Sequence, residues 1–269
     1  MQTYAQPLAH VYLYDDPDAP GLDIDEVGGY IASAFPRTEV LPRSDFFTHQ
    51  FRRFTAEQRA ELERQVVQQL ARIRVTEVLA GLEGFGGEEE PQDALADSYT
   101  FHSAPYQTVL RLLLPDDEID AGHLHIVFTE AAIGTWREEL SLFRLHAICL
   151  GSPTIVSTTG FVEALPRPRE YEFKRAQLAL FGMDQDALED LSEEFADRTF
   201  GYGDARINEI AKGYALMACF HRAFGSTFCA DRHCRLYAAR TQEELIEAQC
   251  GPKAGLCDTH QVMLGLLEQ

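Results

Sequence analysis

Four residues near the C-terminus have the types and spacing of a metal site. Cys229 and Cys234 are separated by four residues, Cys257 and His260 by two, and twenty-two residues lie between the pairs, giving C-x4-C-x22-C-x2-H. Three thiols and one imidazole in two short hooks are a donor set for tetrahedral zinc, because each hook supplies two soft or borderline ligands from one tight turn. Loss of the thiol protons to a metal would couple binding to folding. A closed set of four protein ligands leaves no position for water, so such a zinc would hold structure and could not activate a nucleophile. The competing reading is four residues that share no ligand, since the spacing lies outside the tightest finger templates. Cys250 leaves a second choice open, as a replacement for one member of the second hook. Cys149 and Cys219 lie in apolar company and read as small core residues.

A second set of candidates is made of histidines. His123 and His125 alternate within HLHIVFT and so share one face of a strand. His146 begins a later strand, and His221 falls on the core-facing side of a long helix. If these four converge they form a second metal site, with Glu130 or Glu163 as proton acceptor. If each is hydrogen-bonded separately within the core, they form none. Ser157, Thr158, Thr159 and Gly160 offer hydroxyls and backbone NH groups to an anionic ligand. No base is identifiable that would make a serine a nucleophile. Glu163, Arg167 and Arg169 read as a solvated charge cluster.

The elements that must position these groups follow from pattern. His10 to Tyr14 is a short apolar strand, Ile24 to Ala34 has helical spacing, and Thr38 to Leu41 is a second strand. This β-α-β opening favours a parallel pair covered by a helix. Thr55 with Gln58 forms a capping box, with Phe54 placed for a hydrophobic staple, ahead of a helix whose stripe is Leu62, Val66, Leu70 and Ile73. Gly84 to Ser98 is a Gly-rich acidic loop. Thr108 to Leu114 reads as a buried strand, His123 to Thr129 as another, and Trp136 to Leu145 as helical or irregular. His146 to Leu150 and Thr154 to Thr158 form a hairpin about Gly151-Ser152-Pro153. After a connector at Pro166 and Pro168, Asp184 to Phe195 is amphipathic through Leu188, Leu191 and Phe195. Asp204 caps the longest helix, Ala205 to Phe224, whose buried face carries Ile207, Ile210, Tyr214, Met217, Ala218 and His221. Gly225 ends it. Thr241 with Glu244 caps a short helix from Gln242 to Gln249, inside the loop between the two hooks. The fold class is α/β (α+β), a mixed sheet with flanking helices and a zinc-stapled lobe at the end.

Composition limits the partners. The 269-residue chain carries a formal net charge of −20, and no strong basic patch interrupts it. It should not bind nucleic-acid backbone or an anionic membrane. Lysine occurs only at Lys174, Lys212 and Lys253. No apolar run is long enough for a membrane span. Met1 to Pro7 lacks a basic and apolar signal segment, and cysteines in metal-like spacing fit a reducing compartment, so the expected location is the cytoplasm.

The stretch Ala218 to His260 resembles the archaemetzincins, in which a helix bearing H-E-x-x-H-x-x-G-x-x-H-C leads into a structural zinc site of the form C-x4-C, a spacer near twenty, and C-x-x-C. Gly225, Cys229, Cys234 and Cys257 match that pattern, and His260 stands where the family has its fourth cysteine. HLHIVFT, the stretch Pro153 to Gly160, and Lys212-Gly213-Tyr214 are similar to features of archaeal and bacterial proteins labelled as metallopeptidases. The resemblance implies a zincin-like fold over most of the chain. It also exposes a departure. The first catalytic histidine aligns with Ala218, the glutamate with Cys219, the second histidine with Arg222 and the third with Phe228, and no H-E-x-x-H occurs anywhere. Alanine has no donor atom, and an arginine at a ligand position puts a fixed positive charge where the ion would sit. The expectation is therefore one archaemetzincin-like domain over residues 1–269. It comprises a β-α-β half (1–115), central strands and core helix (116–228), and a zinc lobe (229–269). Cys229, Cys234, Cys257 and His260 hold a structural zinc, and the degenerate cleft binds a protein, peptide or small molecule without catalysis. The alternative is a divergent metal-dependent hydrolase built on His123, His125, His146 and His221.

Overall fold

The structure is a computed structural model that describes residues 6–75, 99–182, 185–225 and 227–267. The chain opens with strand β1 (His10–Tyr14), helix α1 (Ile24–Ala34) and strand β2 (Glu39–Arg43). β1 and β2 pair in parallel, with Val11 opposite Val40, as the β-α-β reading requires. Asp23 caps α1 by accepting from the Glu26 N–H at 3.0 Å. Helices α2 (Phe46–Phe51), α3 (Ala56–Ile73) and α4 (Ser103–Arg111), with the short strand β3 (Thr100–His102) before α4, lead to β4 (His123–Thr129). Both halves of the Thr55–Gln58 capping box are made. The acidic loop from Gly84 to Ser98 lies outside the described residues.

Next come β5 (Ala132–Arg137), β6 (Leu142–His146), β7 (Ile148–Cys149), β8 (Thr154–Ser157) and helix α5 (Thr158–Glu163). Helices α6 (Arg169–Leu180), α7 (Gln185–Glu194), α8 (Ile207–Phe224), α9 (Gln242–Cys250) and α10 (Asp258–Leu267) complete the chain. The main sheet runs β2-β1-β4-β8-β7, and a second sheet runs β3-β5-β6. In the main sheet β1, β2, β4 and β8 are parallel, and β7 returns antiparallel to β8 as the expected hairpin.

Strand alternation divides the core. Val11, Leu13, Leu124, Ile126, Phe128 and Val156 face α1 and α8. Tyr12, Tyr14, Val127 and Ile155 face the other way, toward α2, α3 and α4. A fully buried Leu, Ile or Phe side chain contributes about 1.5–3 kcal/mol, and α8 places Ile210, Leu216 and Phe220 at 0% exposure, with the smaller Ala215 and Cys219 sealed beside them.

Two elements differ from expectation. Thr108–Leu114 belongs to helix α4 and the turn after it. Tyr106, Leu110, Leu113 and Leu114 are buried there at helical spacing, and a short apolar run does not by itself distinguish helix from strand. Trp136 to Leu145 falls mostly within the antiparallel β5–β6 pair, with Trp136 opposite Phe143. Trp136, Leu140 and Leu142 are themselves exposed, so no buried stripe marks the strand period there. Asp204 also does not cap the helix as expected. It accepts from the Arg206 N–H at 2.9 Å, and α8 starts at Ile207 without a side-chain cap.

Candidate metal centre

Helix α8 ends because Gly225 takes φ 65°, its N–H donating to the His221 carbonyl at 2.9 Å. The chain then folds back on itself. Cys229 N–H donates to Leu236 O at 2.8 Å, Cys234 N–H to Asp231 O at 3.1 Å, and Tyr237 N–H to Cys234 O at 2.8 Å. These bonds close the first hook. The second hook is docked by a bridge between Cys234 and Gly255, with Arg235 N–H donating to Gly255 O at 2.8 Å. Cys257 precedes α10, and its carbonyl accepts from the N–H groups of His260 and Gln261, each at 2.9 Å. A two-residue gap across a helical turn places both side chains on one face, and the thiol lies at the positive end of the helix.

The four donor atoms converge. Cys229 Sγ lies 3.8 Å from Cys257 Sγ, Cys234 Sγ 3.7 Å from His260 Nδ1, and Cys257 Sγ 3.0 Å from His260 Nδ1. All four lie within 4.8 Å of one another. Zinc–sulfur and zinc–nitrogen bonds of about 2.3 and 2.0 Å in a tetrahedron separate ligand atoms by roughly 3.5–3.8 Å, so the cluster has the dimensions of that ion. Cys250 is not a member, which closes the alternative left open by spacing.

The electrostatics favour a cation among these four groups. Burial pushes the Cys234 thiol up to about 12, so without a positive charge it stays protonated at neutral pH. Burial acts on Cys257 in the same sense, but hydrogen bonds from the backbone of His260 and from the other two cysteines outweigh it and hold this thiol below its ordinary value. Burial lowers His260, which keeps its imidazole in the neutral form that ligates. The edge of His260 meets Phe220 of α8 with ring centroids 5.4 Å apart, so the centre is built directly against the core.

Two glutamines that pattern reading left unremarked position this lobe. Gln242 bonds Val162 O at 2.7 Å and Phe200 O at 3.1 Å, and its Oε1 accepts from Phe200 N–H at 3.0 Å. Gln249 donates to Arg235 O at 3.0 Å and lies on α8 so closely that a Cβ at Gly213 would come within 1.8 Å of its Oε1. That approach explains a glycine inside the most buried helix. The available signal was two glutamines seven residues apart on an otherwise acidic helix.

The four histidines do not form a second centre. His125 is fully buried. Its Nε2 is 2.8 Å from Glu118 O and its Nδ1 2.9 Å from Tyr14 OH, so one nitrogen donates, the other accepts, and neither remains for a metal. His123 shares that face, bonding Asp120 at 2.8 Å and stacking on His10. His146 lies in the second sheet against Thr135 at 3.1 Å, and His221 bonds Thr227 Oγ1 at 3.0 Å. His221 sits on α8, which packs against the sheet face carrying Leu124 and Ile126, opposite the face that carries His123 and His125. Among the described residues, the only group of three or more His, Cys, Asp or Glu side chains that could hold a metal ion is Cys229, Cys234, Cys257 and His260. The expected hydroxyl site is spent as well. Ser157 donates to Ala131 O at 2.8 Å, Thr158 to Thr129 O at 3.3 Å and Thr159 to Glu130 O at 2.6 Å.

The helix positions that align with the catalytic motif lack ligands. Ala218 is 1% exposed, Cys219 is sealed in the core and Phe228 is 56% exposed. Arg222 donates to Asp120 O at 2.5 Å and to His123 O at 3.3 Å, tying α8 to the start of β4.

Residues 8–267 match the sequence model of the Probable metallopeptidase family (DUF6775), and the chain belongs to that family. Among solved structures it is similar to archaemetzincin from Methanopyrus kandleri, at 12% identity and a TM-score of 0.45, covering 98% of this chain and 96% of that one. No curated protein sequence matches. Among the described residues no helix is long and apolar enough to cross a membrane.

Proposed function

We propose that this chain is a non-catalytic member of its metallopeptidase family. In this reading Cys229, Cys234, Cys257 and His260 hold one structural zinc, and the degenerate cleft serves to bind a peptide, small molecule or protein partner. The observation that carries it is the contrast between a complete Cys3His donor set within 4.8 Å and helix positions 218, 219 and 222 occupied by Ala, Cys and Arg. When bound, zinc would supply four bonds joining the two hooks and the folding free energy that comes with them. The chain's own part is to present three thiolates and a neutral imidazole, with α10 favouring the charge on Cys257. With all four positions taken by protein there is no site for a reactive water. The dispersal of His123, His125, His146 and His221 removes the ligand set on which a divergent hydrolase would depend. The charge of −20 argues against nucleic-acid and anionic-membrane partners.

Elemental analysis of the untagged protein tests the reading, with Cys234→Ser beside the parent. One zinc per chain in the parent and none in the variant is expected, together with no cleavage of unstructured peptide substrates by either. Two zinc ions in the parent and one in the variant would point to a second centre and return the hydrolase reading.

A further inference from the structure

Resting on that structural-zinc reading, the geometry points to a peroxide-sensitive release device in the same centre: Cys229 and Cys257 are an exposed pair whose joining as a disulfide ejects the zinc. The four ligands are unequally protected. Cys234 is 1% exposed and His260 9%, both within the core. Cys229 and Cys257 are partly exposed, and together with Ala230, Asp231, Asp258 and Thr259 they line an open depression of about 400 Å³. The depression therefore opens on the side of the cluster that carries these two of the three cysteines. These two belong to different hooks, and they stand 3.8 Å apart, so closing to the disulfide bond length of about 2 Å takes only a small movement of the hooks.

The chemistry balances with a hydroperoxide as the oxidant. One thiolate of the pair attacks a peroxide oxygen. An S–O bond forms, the O–O bond breaks, and the departing oxygen takes up a proton and leaves as water or alcohol. The second thiolate attacks the resulting sulfenic sulfur, forming the S–S bond and releasing the other oxygen as water with a second proton. The two sulfurs lose two electrons and the peroxide gains them. Cys234 and His260 then remain as the only donors, half of a tetrahedral set, and the ion leaves. A thiol reductant reverses the step by exchange.

The sequence makes the test clean. Arg222, Arg232, Arg235 and Lys253 place Cys229, Cys234 and Cys257 in three separate tryptic peptides, and Cys250 in a fourth. Zinc-loaded full-length protein is treated with hydrogen peroxide. Zinc release is followed with a chromogenic chelator, and the products are mapped by non-reducing peptide mass spectrometry. The expected result is loss of the one bound zinc per chain, in step with a crosslink between peptides 223–232 and 254–269. Dithiothreitol and added zinc should restore the starting state. Cys250→Ser and Cys149→Ser, both outside the cluster, should release zinc as the parent does. Retention of the zinc under conditions that oxidise a free thiol would overturn the proposal while leaving the structural-zinc reading intact. So would a crosslink through Cys234 or Cys250. A parent protein that never contains zinc would overturn both.

Discussion

Two regions of this molecule gather titratable side chains at close range, and they resolve in opposite ways. In the lobe at the C-terminus, three thiols and an imidazole have chiefly one another for company. On the sheet face behind β1 and β4, Tyr14, His125, Arg43, Glu118 and Gln50 each meet a complementary group. Arg43 forms a two-pronged pair with Glu118 at 2.7 and 2.8 Å and donates to Tyr14 OH at 2.7 Å. Gln50 donates to the same hydroxyl at 2.9 Å, the Arg43 guanidinium lies 3.7 Å from the Tyr12 ring centroid, and Tyr14 OH faces His125 Nδ1. Clustered ionisable groups can hold a metal only where their donor atoms are not already engaged by other side chains or by backbone. A histidine with both nitrogens engaged is part of a core, however suggestive its spacing in the sequence.

The comparison predicts different responses to damage. The largest effect should come from Cys234→Ser, which removes a buried ligand. We expect complete loss of bound zinc and a fall in melting temperature of roughly 10 °C or more, because structural zinc binding is folding free energy. A chelator should lower the parent's melting temperature and leave the variant's unchanged. Equal melting of the two proteins, with and without chelator, would break the distinction between the regions.

Acid should separate the regions next. Burial lowers His125 from an ordinary value of 6.5 to about 4, so the folded protein keeps this imidazole neutral where the unfolded chain protonates it. The stabilisation is complete above about pH 6.5, declines as pH falls, and has been lost by about pH 4, a change of roughly 3 kcal/mol for one proton. In urea melts across that window, His125→Gln should show a shallower pH dependence than the parent. An identical slope in the two proteins would mean that His125 titrates normally in the fold.

Smaller again is Tyr14→Phe. It leaves Arg43, Gln50 and His125 without their shared hydroxyl in a buried position and should cost about 1–3 kcal/mol, with the zinc content still one per chain. Loss of zinc in this variant would show that the two regions are coupled. The smallest expected effect is Thr55→Ala, remote from both regions. Removing the capping-box hydroxyl ahead of α3 should cost about 1 kcal/mol in chemical denaturation and change neither zinc content nor the acid profile.

The Cys3His cluster was the most legible part of the chain. Two short hooks are local features. Cys-x4-Cys fits one turn and Cys-x2-His one helical turn, so residue type and spacing nearly specify the geometry before anything else folds. The opening β-α-β, the Thr55 cap and the Gly225 stop were legible for the same reason. α4 was not, because a short apolar run satisfies either period when it is unknown which face will be buried, and the β5–β6 pair was not, because its outer residues Trp136 and Leu142 stay exposed.

Residue types and spacing alone establish two candidate hooks, with Cys250 as an alternative member of the second, the absence of an H-E-x-x-H motif, and the alternation that puts His123 and His125 on one side of β4. The tertiary structure determines which groups meet. It set α8 on the opposite face of the sheet from those histidines, so that His221 cannot join them. It gave His125 two neighbours, Tyr14 from β1 and the Glu118 carbonyl, that engage both its nitrogens. It brought the hooks together across twenty-two residues through the Cys234–Gly255 bridge and the Gln249–Gly213 contact, leaving Cys250 aside. Spacing governs neighbours along the chain, while contacts between distant segments depend on which faces the whole fold buries.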